Sequence, residues 1–282
     1  MPILTYAGHT LTWNEYSSGD HTFIFINGYS GSRRIWRYEL ELLESLGRCI
    51  TLDLPGHYPA KVPANFDRLS QEQLIELETY ATKHIVGDGQ VTLIGHSTGG
   101  LAALGVAANL PEQVNRVICI DPVVWGPLTG LIGFAHQLLG RGLYQVFRVL
   151  WGITQTTPST FMMGLSFYVC NRMTLWRNER AWNICRYSYP WYRRHNMRNL
   201  AMVVNMLAVC DIRLLLSTVT MPVLVMTGDR DPVVPPTQAY WLADHLPDAT
   251  LHVFEKTGHL PHIEQYLEWE RVAVDWLAAH PV

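Results

Sequence analysis

Leu93-Ile94-Gly95-His96-Ser97-Thr98-Gly99-Gly100-Leu101-Ala102-Ala103-Leu104 decides how this chain is read. An apolar run that includes Val91, Leu93 and Ile94 stops at a glycine. A His, a Ser and a Thr follow, then two more glycines and an Ala/Leu pattern at helical spacing. The stretch reads as a strand meeting a helix at a sharp turn with a hydroxyl at the bend. A Ser there has strained backbone angles. It needs Gly two positions before and two after, because side chains at those places would clash with the packed strand and helix. The bend is either a plain tight turn or the seat of a nucleophile, since a helix N-terminus favours developing negative charge. The motif is short enough to arise by chance, so its surroundings must decide.

Working outward, short apolar runs bounded by turn residues fall at 22–27, 48–53, 90–95, 116–121, 222–228 and 249–254. Such runs mark strands buried on both faces. An alternating segment at 10–16 reads as an earlier strand. Helical patterns lie between them at 33–46, 69–85, 100–110, 236–246 and 264–280, and Ser70 with Gln73 fits a capping box. Alternating strands and helices imply an α/β fold with a mostly parallel sheet covered on both faces. The alternation breaks between about 123 and 215, a stretch rich in Trp, Tyr, Met and Leu and mostly helical in pattern. The expected organisation is a core from 1–122 and 216–282, with a mostly helical segment at 123–215 inserted after the strand that ends at Asp121.

The 282 residues, 48% hydrophobic and 16% charged, suffice for a large core and exclude a disordered chain. A net charge of −3 argues against nucleic acid as a partner. That near-neutral total hides an uneven distribution. Residues 123–215 hold ten arginines, no lysine and two acids (Glu179 and Asp211), a balance of +8; the remainder has 11 bases against 22 acids. Five of the ten tryptophans lie in the same stretch and are expected to form its own small core. A segment that is apolar inside and arginine-rich outside could seal a water-poor pocket. It could also rest on an anionic membrane surface or an acidic carrier protein, with Arg33, Arg34 and Arg37 adding positive potential near the mouth. The five cysteines are scattered and form no CxxC pair, as expected of reduced thiols. No signal peptide or transmembrane stretch is evident, so the expected location is cytoplasmic, with peripheral membrane contact as the added reading.

Five segments together resemble the α/β-hydrolase fold family. Phe23–Trp36 (FIFINGYSGSRRIW) is similar to that family's third strand and oxyanion loop, with Asn27-Gly28 where His-Gly is usual. Ile50–Ala60 (ITLDLPGHYPA) resembles its Asp-x-x-Gly-His-Gly loop, with Tyr58 at the last Gly. The serine turn, Met221–Pro235 (MPVLVMTGDRDPVVP) and Val253–Gln265 (VFEKTGHLPHIEQ) follow in the expected Ser, Asp, His order.

The resemblance implies a serine hydrolase, a carboxylic ester hydrolase of the esterase/lipase kind, that forms an acyl-enzyme on a hydrophobic acyl or aromatic substrate, with residues 123–215 as a helical cap or lid inserted after the family's sixth strand. Ser97 would attack and His259 would serve as base, because a serine hydroxyl needs one at neutral pH. His262 is the neighbouring competitor, more in keeping with a structural role. His96 is expected to point away from the site, and His57 to line its mouth or cap a turn. Asp231 would hold the base, with Asp229 and Asp121 as alternatives. The backbone N–H groups of Tyr29 and Thr98 would form the oxyanion hole. Asn27, Gly28, Tyr29, Trp125 and Leu260 are the pocket candidates. No cofactor and no metal is implied. Thioester hydrolysis, carbon–carbon bond hydrolysis, acyl transfer and a cofactor-free perhydrolase reaction remain alternatives within the fold, as does a hydrolase-fold ligand receptor.

Overall fold

The computed structural model describes residues 1–282. Eight strands form one sheet: β1 (Ile3–Tyr6), β2 (His9–Glu15), β3 (Thr22–Ile26), β4 (Arg48–Leu52), β5 (Val91–His96), β6 (Val114–Ile120), β7 (Val223–Gly228) and β8 (Ala249–Phe254). Their spatial order is β1-β2-β4-β3-β5-β6-β7-β8. β2 is antiparallel to both β1 and β4, and every other pairing is parallel. All residues of β3, β5 and β7 are buried, which is why those strands are unbroken apolar runs rather than alternating ones.

Helices cover both faces. Leu74, Ile75 and Leu77 of α2 (Gln71–Val86) join α3 (Thr98–Asn109) and α10 (Thr237–His245) against one face. On the other, α1 (Arg37–Leu43) and α12 (Tyr266–Ala279) place Leu40, Leu43, Trp269 and Trp276 against Phe25, Ile94 and Ile118. The Ser70–Gln73 capping box opens α2 as its sequence predicts. A short helix, α11 (Pro261–Glu264), precedes α12.

Three local features differ from the sequence reading. The N-terminus adds β1, a short edge strand turned back through Ala7 and Gly8, both at positive φ. The pattern at 33–46 splits into a 3-10 turn at Arg33–Trp36 followed by α1. β6 begins at Val114, two residues before the apolar run, because its pairing with β5 reaches back to Val91.

Between β6 and β7 lie six helices: α4 (Gly130–Gly140), α5 (Tyr144–Thr154), α6 (Pro158–Leu165), α7 (Arg172–Arg177), α8 (Glu179–Tyr192) and α9 (Met197–Leu207). Side chains of Thr157, Asn171, Asn178 and Asn196 cap four of them by accepting backbone N–H bonds. The tryptophans do not form a core here. Only Trp151 is buried, and arginine stacking draws others outward: Arg34 lies 3.7 Å over Trp191 and Arg213 5.1 Å over Trp125. The core between α6 and α8 is built instead from Phe161, Met162, Ile184, Tyr189 and Tyr192. Arg33 adds no free charge to the mouth, because it is buried in an ion pair with Asp53.

Candidate active site

The chain runs from β3 to β4 on one side, then crosses back to β5 on the other. The ends of β3 and β5 therefore lie side by side while their following loops diverge, and ligand crevices open at such a switch point. The β5 end carries Ser97, at φ 56° and ψ −116°, a left-handed backbone that L side chains rarely adopt. Its carbonyl accepts bonds from Gly100 N (2.9 Å) and Leu101 N (3.1 Å), which starts α3. The flanking glycines are required by space. A Cβ on Gly99 would lie 2.1 Å from Ile26 O, and one on Gly95 2.3 Å from Gly99 O.

His259 follows β8. Its Nδ1–H donates to Asp231 Oδ2 at 2.6 Å, leaving Nε2 as the ring nitrogen without a protein partner. Asp231 is fixed in turn by Val233 N (2.7 Å) and Val234 N (3.0 Å), both donating to Oδ1. The other two candidate acids are engaged elsewhere. Asp229 accepts from Thr257 N. Asp121 accepts from Thr227 Oγ1 and Gly228 N, each at 3.0 Å. Burial, and next the charge of Asp231, push the Asp121 carboxyl well above the ordinary carboxylate range.

A narrow cavity of about 60 Å³ is lined by Gly28, Tyr29, Ser97, His259 and Leu260, with Ile132, Phe161 and Leu165 from the inserted helices. Thr98 is the first residue of α3, and neither its amide nor that of Tyr29 donates to a backbone acceptor. Two pocket candidates lie elsewhere. Asn27 is fully buried behind the loop, its Nδ2 donating to Gly28 O. Trp125 is held outside the cavity by Gln238, which bonds its amide and carbonyl, and by Trp241 against its ring.

His96 lines the cavity instead of pointing away. Its ring packs 4.8 Å from that of His259, and its Nε2 bonds the His259 carbonyl. His262 is fully buried, and burial pushes it down to about 3. His96, Asp121 and His259 bring one potential metal-ligand atom each within 4.8 Å, although all three side chains already serve the bonds just described.

His195 and Glu264 tie the insertion to this site without any local sequence signal, and His57, expected to line the mouth or cap a turn, packs against the His195 ring. His195 Nδ1 accepts from Tyr58 N (2.9 Å), so its Nε2–H donates to Gly31 O (2.8 Å). His57 Nε2 accepts from Ser30 N (3.1 Å). Burial pushes His57 down to about 4, and burial together with His57 pushes His195 down to about 3. Glu264 accepts from Gly258 N (2.8 Å) and Cys170 N (2.9 Å), bridging the histidine loop to the insertion, and burial raises it to about 7.

The doubly wound sheet, its switch-point crevice and the strained turn at Ser97 define an α/β hydrolase. The chain belongs to the alpha/beta hydrolase fold family, which it matches over residues 21–266. It is 24% identical over 262 residues to a pimeloyl-[acyl-carrier protein] methyl ester esterase of Nitrosomonas europaea, covering 88% of this chain and 92% of that protein. It is 25% identical over 278 residues to 2-hydroxy-6-oxononadienedioate/2-hydroxy-6-oxononatrienedioate hydrolase 1 of Dechloromonas aromatica, covering 95% of this chain and 90% of that one. In structure it resembles the enol-lactonase of Burkholderia xenovorans with a TM-score of 0.78 at 17% identity, over 98% of this chain and all of the other.

Proposed function

We propose that the protein is a serine hydrolase that cleaves carboxylic esters of hydrophobic character through an acyl-enzyme. One observation carries the reading: Ser97 and His259 line the same cavity, while Nδ1 of His259 is already committed to Asp231. Nε2 is then the nitrogen left to take the Ser97 proton as Oγ attacks the ester carbonyl. No direct Ser97–His259 hydrogen bond is present, as is common before substrate tightens such sites. Asp231 holds the imidazole tautomer and stabilises the imidazolium.

The negative oxygen of the tetrahedral intermediate falls to the uncommitted amides of Tyr29 and Thr98, the latter at a helix N-terminus. His259 then protonates the departing alcohol, and water repeats the sequence to release the acid. The cavity wall, largely Leu, Ile, Phe and Val, suits an apolar acyl or aryl group. The esterase and hydrolase named among the relatives are consistent with hydrolysis at a carbonyl carbon. The six inserted helices act here as a cap over Ser97.

Turnover of 4-nitrophenyl esters and labelling by a fluorophosphonate probe test the assignment. Ser97→Ala should lose both, with the rate falling on the order of 10⁴-fold or more. A mutant that hydrolyses the ester at the wild-type rate would remove Ser97 from the reaction.

A further inference from the structure

The outer face of the inserted helices carries an apolar surface with no partner. On α5, Phe147 and Trp151 point into the core. Val146, Val149, Leu150 and Ile153 are each at least 40% exposed. These four stand at i, i+3, i+4 and i+7, a stripe about 100° wide on the opposite side of the helix. Helix α5 is thus apolar on two faces, and only one of them is covered. Beside the stripe lies an open groove of about 630 Å³, lined by Phe134 of α4, Leu150 and Ile153 of α5, Met163 of α6, and Phe167. The groove and the catalytic cavity share Ser30, Phe161, Leu165 and Tyr168 as a common wall. Met173 and Trp176 of α7 are exposed as well.

Within the stretch that forms this face the charge has one sign, and the first acid after it is Glu179 at the start of α8. Residues 122–178 contain no aspartate, glutamate or lysine, and four arginines: Arg141, Arg148, Arg172 and Arg177. All four are exposed. None enters an ion pair or donates a side-chain hydrogen bond, whereas Arg180 and Arg213 of the same insertion are paired with acids. An apolar face on a stretch whose charges are all unpaired, exposed arginines, one of them (Arg172) lining the groove, is complementary to one surface in particular, a bilayer with anionic headgroups over an apolar interior. Guanidinium groups grip phosphate with two hydrogen bonds each.

We propose that α5, with the adjoining exposed parts of α4, α6 and α7, docks onto an anionic lipid surface. The groove then opens toward the acyl chains, with the catalytic cavity behind its wall. Docking stands on its own; only the passage of a lipid-borne ester from groove to cavity rests on the ester-cleavage reading.

The test is co-sedimentation of the full chain with phosphatidylglycerol and phosphatidylcholine vesicles at low and high salt. Binding should favour phosphatidylglycerol by at least about 100-fold and weaken at high salt, where exposed charges are screened beyond about 3 Å. Arg141→Gln, Arg148→Gln and Arg177→Gln combined should lower binding to phosphatidylglycerol about 100-fold, near fivefold per arginine, and leave phosphatidylcholine little changed. Val146→Glu with Val149→Glu should reduce binding to both lipids. Hydrolysis of 4-nitrophenyl acetate stays at the wild-type level in these variants and reports an intact fold. No binding to either vesicle, or equal binding that ignores salt, overturns the proposal. So does a wild-type dimer that the two valine changes dissociate without altering vesicle binding, which would assign the face to a second copy of the chain.

Discussion

Asp231 differs from its acidic neighbours in what it touches. It alone bonds the His259 ring, and its second oxygen is held by two backbone amides. Replacing it with Asn leaves the geometry but favours the wrong imidazole tautomer, and kcat should fall on the order of 10⁴-fold. Asp121→Asn should cost less than about tenfold, because Asp121 does not bond the His259 ring and Asn keeps an acceptor for Thr227 and Gly228. Steady-state kinetics on the two variants, with Asp229→Asn as a third, ranks them. If Asp121→Asn were the most damaged, the assignment of the acid would move to the end of β6. At this scale the sequence was informative where a residue's setting is local. Ser97, Asp231, His259, Gly28, Tyr29 and Leu260 are set by turns within a few positions of strand ends. Asn27 and Trp125 were misplaced because nothing adjacent in sequence says that Gly28 O turns back onto one and Gln238 reaches across to the other.

The link between α8 and α9 reaches the loop after β3 through His195, and the contact spans 164 positions to Gly31. The imidazole must stay neutral, because Nδ1 is the acceptor for Tyr58 N. With His195 pushed down to about 3, the unfolded chain takes up a proton below about pH 6.5 while the folded one does not. The stability His195 contributes is therefore present near neutrality and lost as pH falls. The destabilisation caused by His195→Ala should be about 2 kcal/mol smaller near pH 5 than near pH 7.5, measured by urea unfolding. A difference that ignores pH would mean that the imidazole takes up its proton at the same pH in the folded and unfolded chain. Elements within the sheet were legible because strands buried on both faces announce themselves as apolar runs. β1 was not, because an edge strand alternating between exposed and half-buried residues has no such run. The helices of the insertion left clear marks in Thr157, Asn171, Asn178 and Asn196, each followed directly by a helix. Those cap residues would have divided residues 157–207 correctly.

Across the whole molecule, the +8 balance of residues 123–215 is not one uniform outer face. Arg180 crosses to Glu39 and Glu270 on α1 and α12, and Arg194 donates to Tyr58 Oη, so part of the charge fastens the insertion to the acidic body. Arg141, Arg148, Arg172 and Arg177, which pair with no acid, belong to the same stretch as the exposed apolar residues of α4 to α7. Composition could give the sign and size of the charge but not this partition, which depends on which arginines meet a carboxylate after folding. No helix is long and apolar enough to cross a membrane.

The backbone at Ser97 sets heat resistance against chemistry at a single codon. Its φ of 56° and ψ of −116° suit glycine, and any other residue there carries strain of about 1–3 kcal/mol. Ser97→Gly should therefore raise the melting temperature while ending turnover, a shift that calorimetry would detect as an increase. A population of variants selected for folding alone, blind to catalysis, would drift toward glycine at this position. Serine persists there only while its hydroxyl is under selection, so the residue found at 97 in any descendant of this chain reports whether that lineage still uses the site.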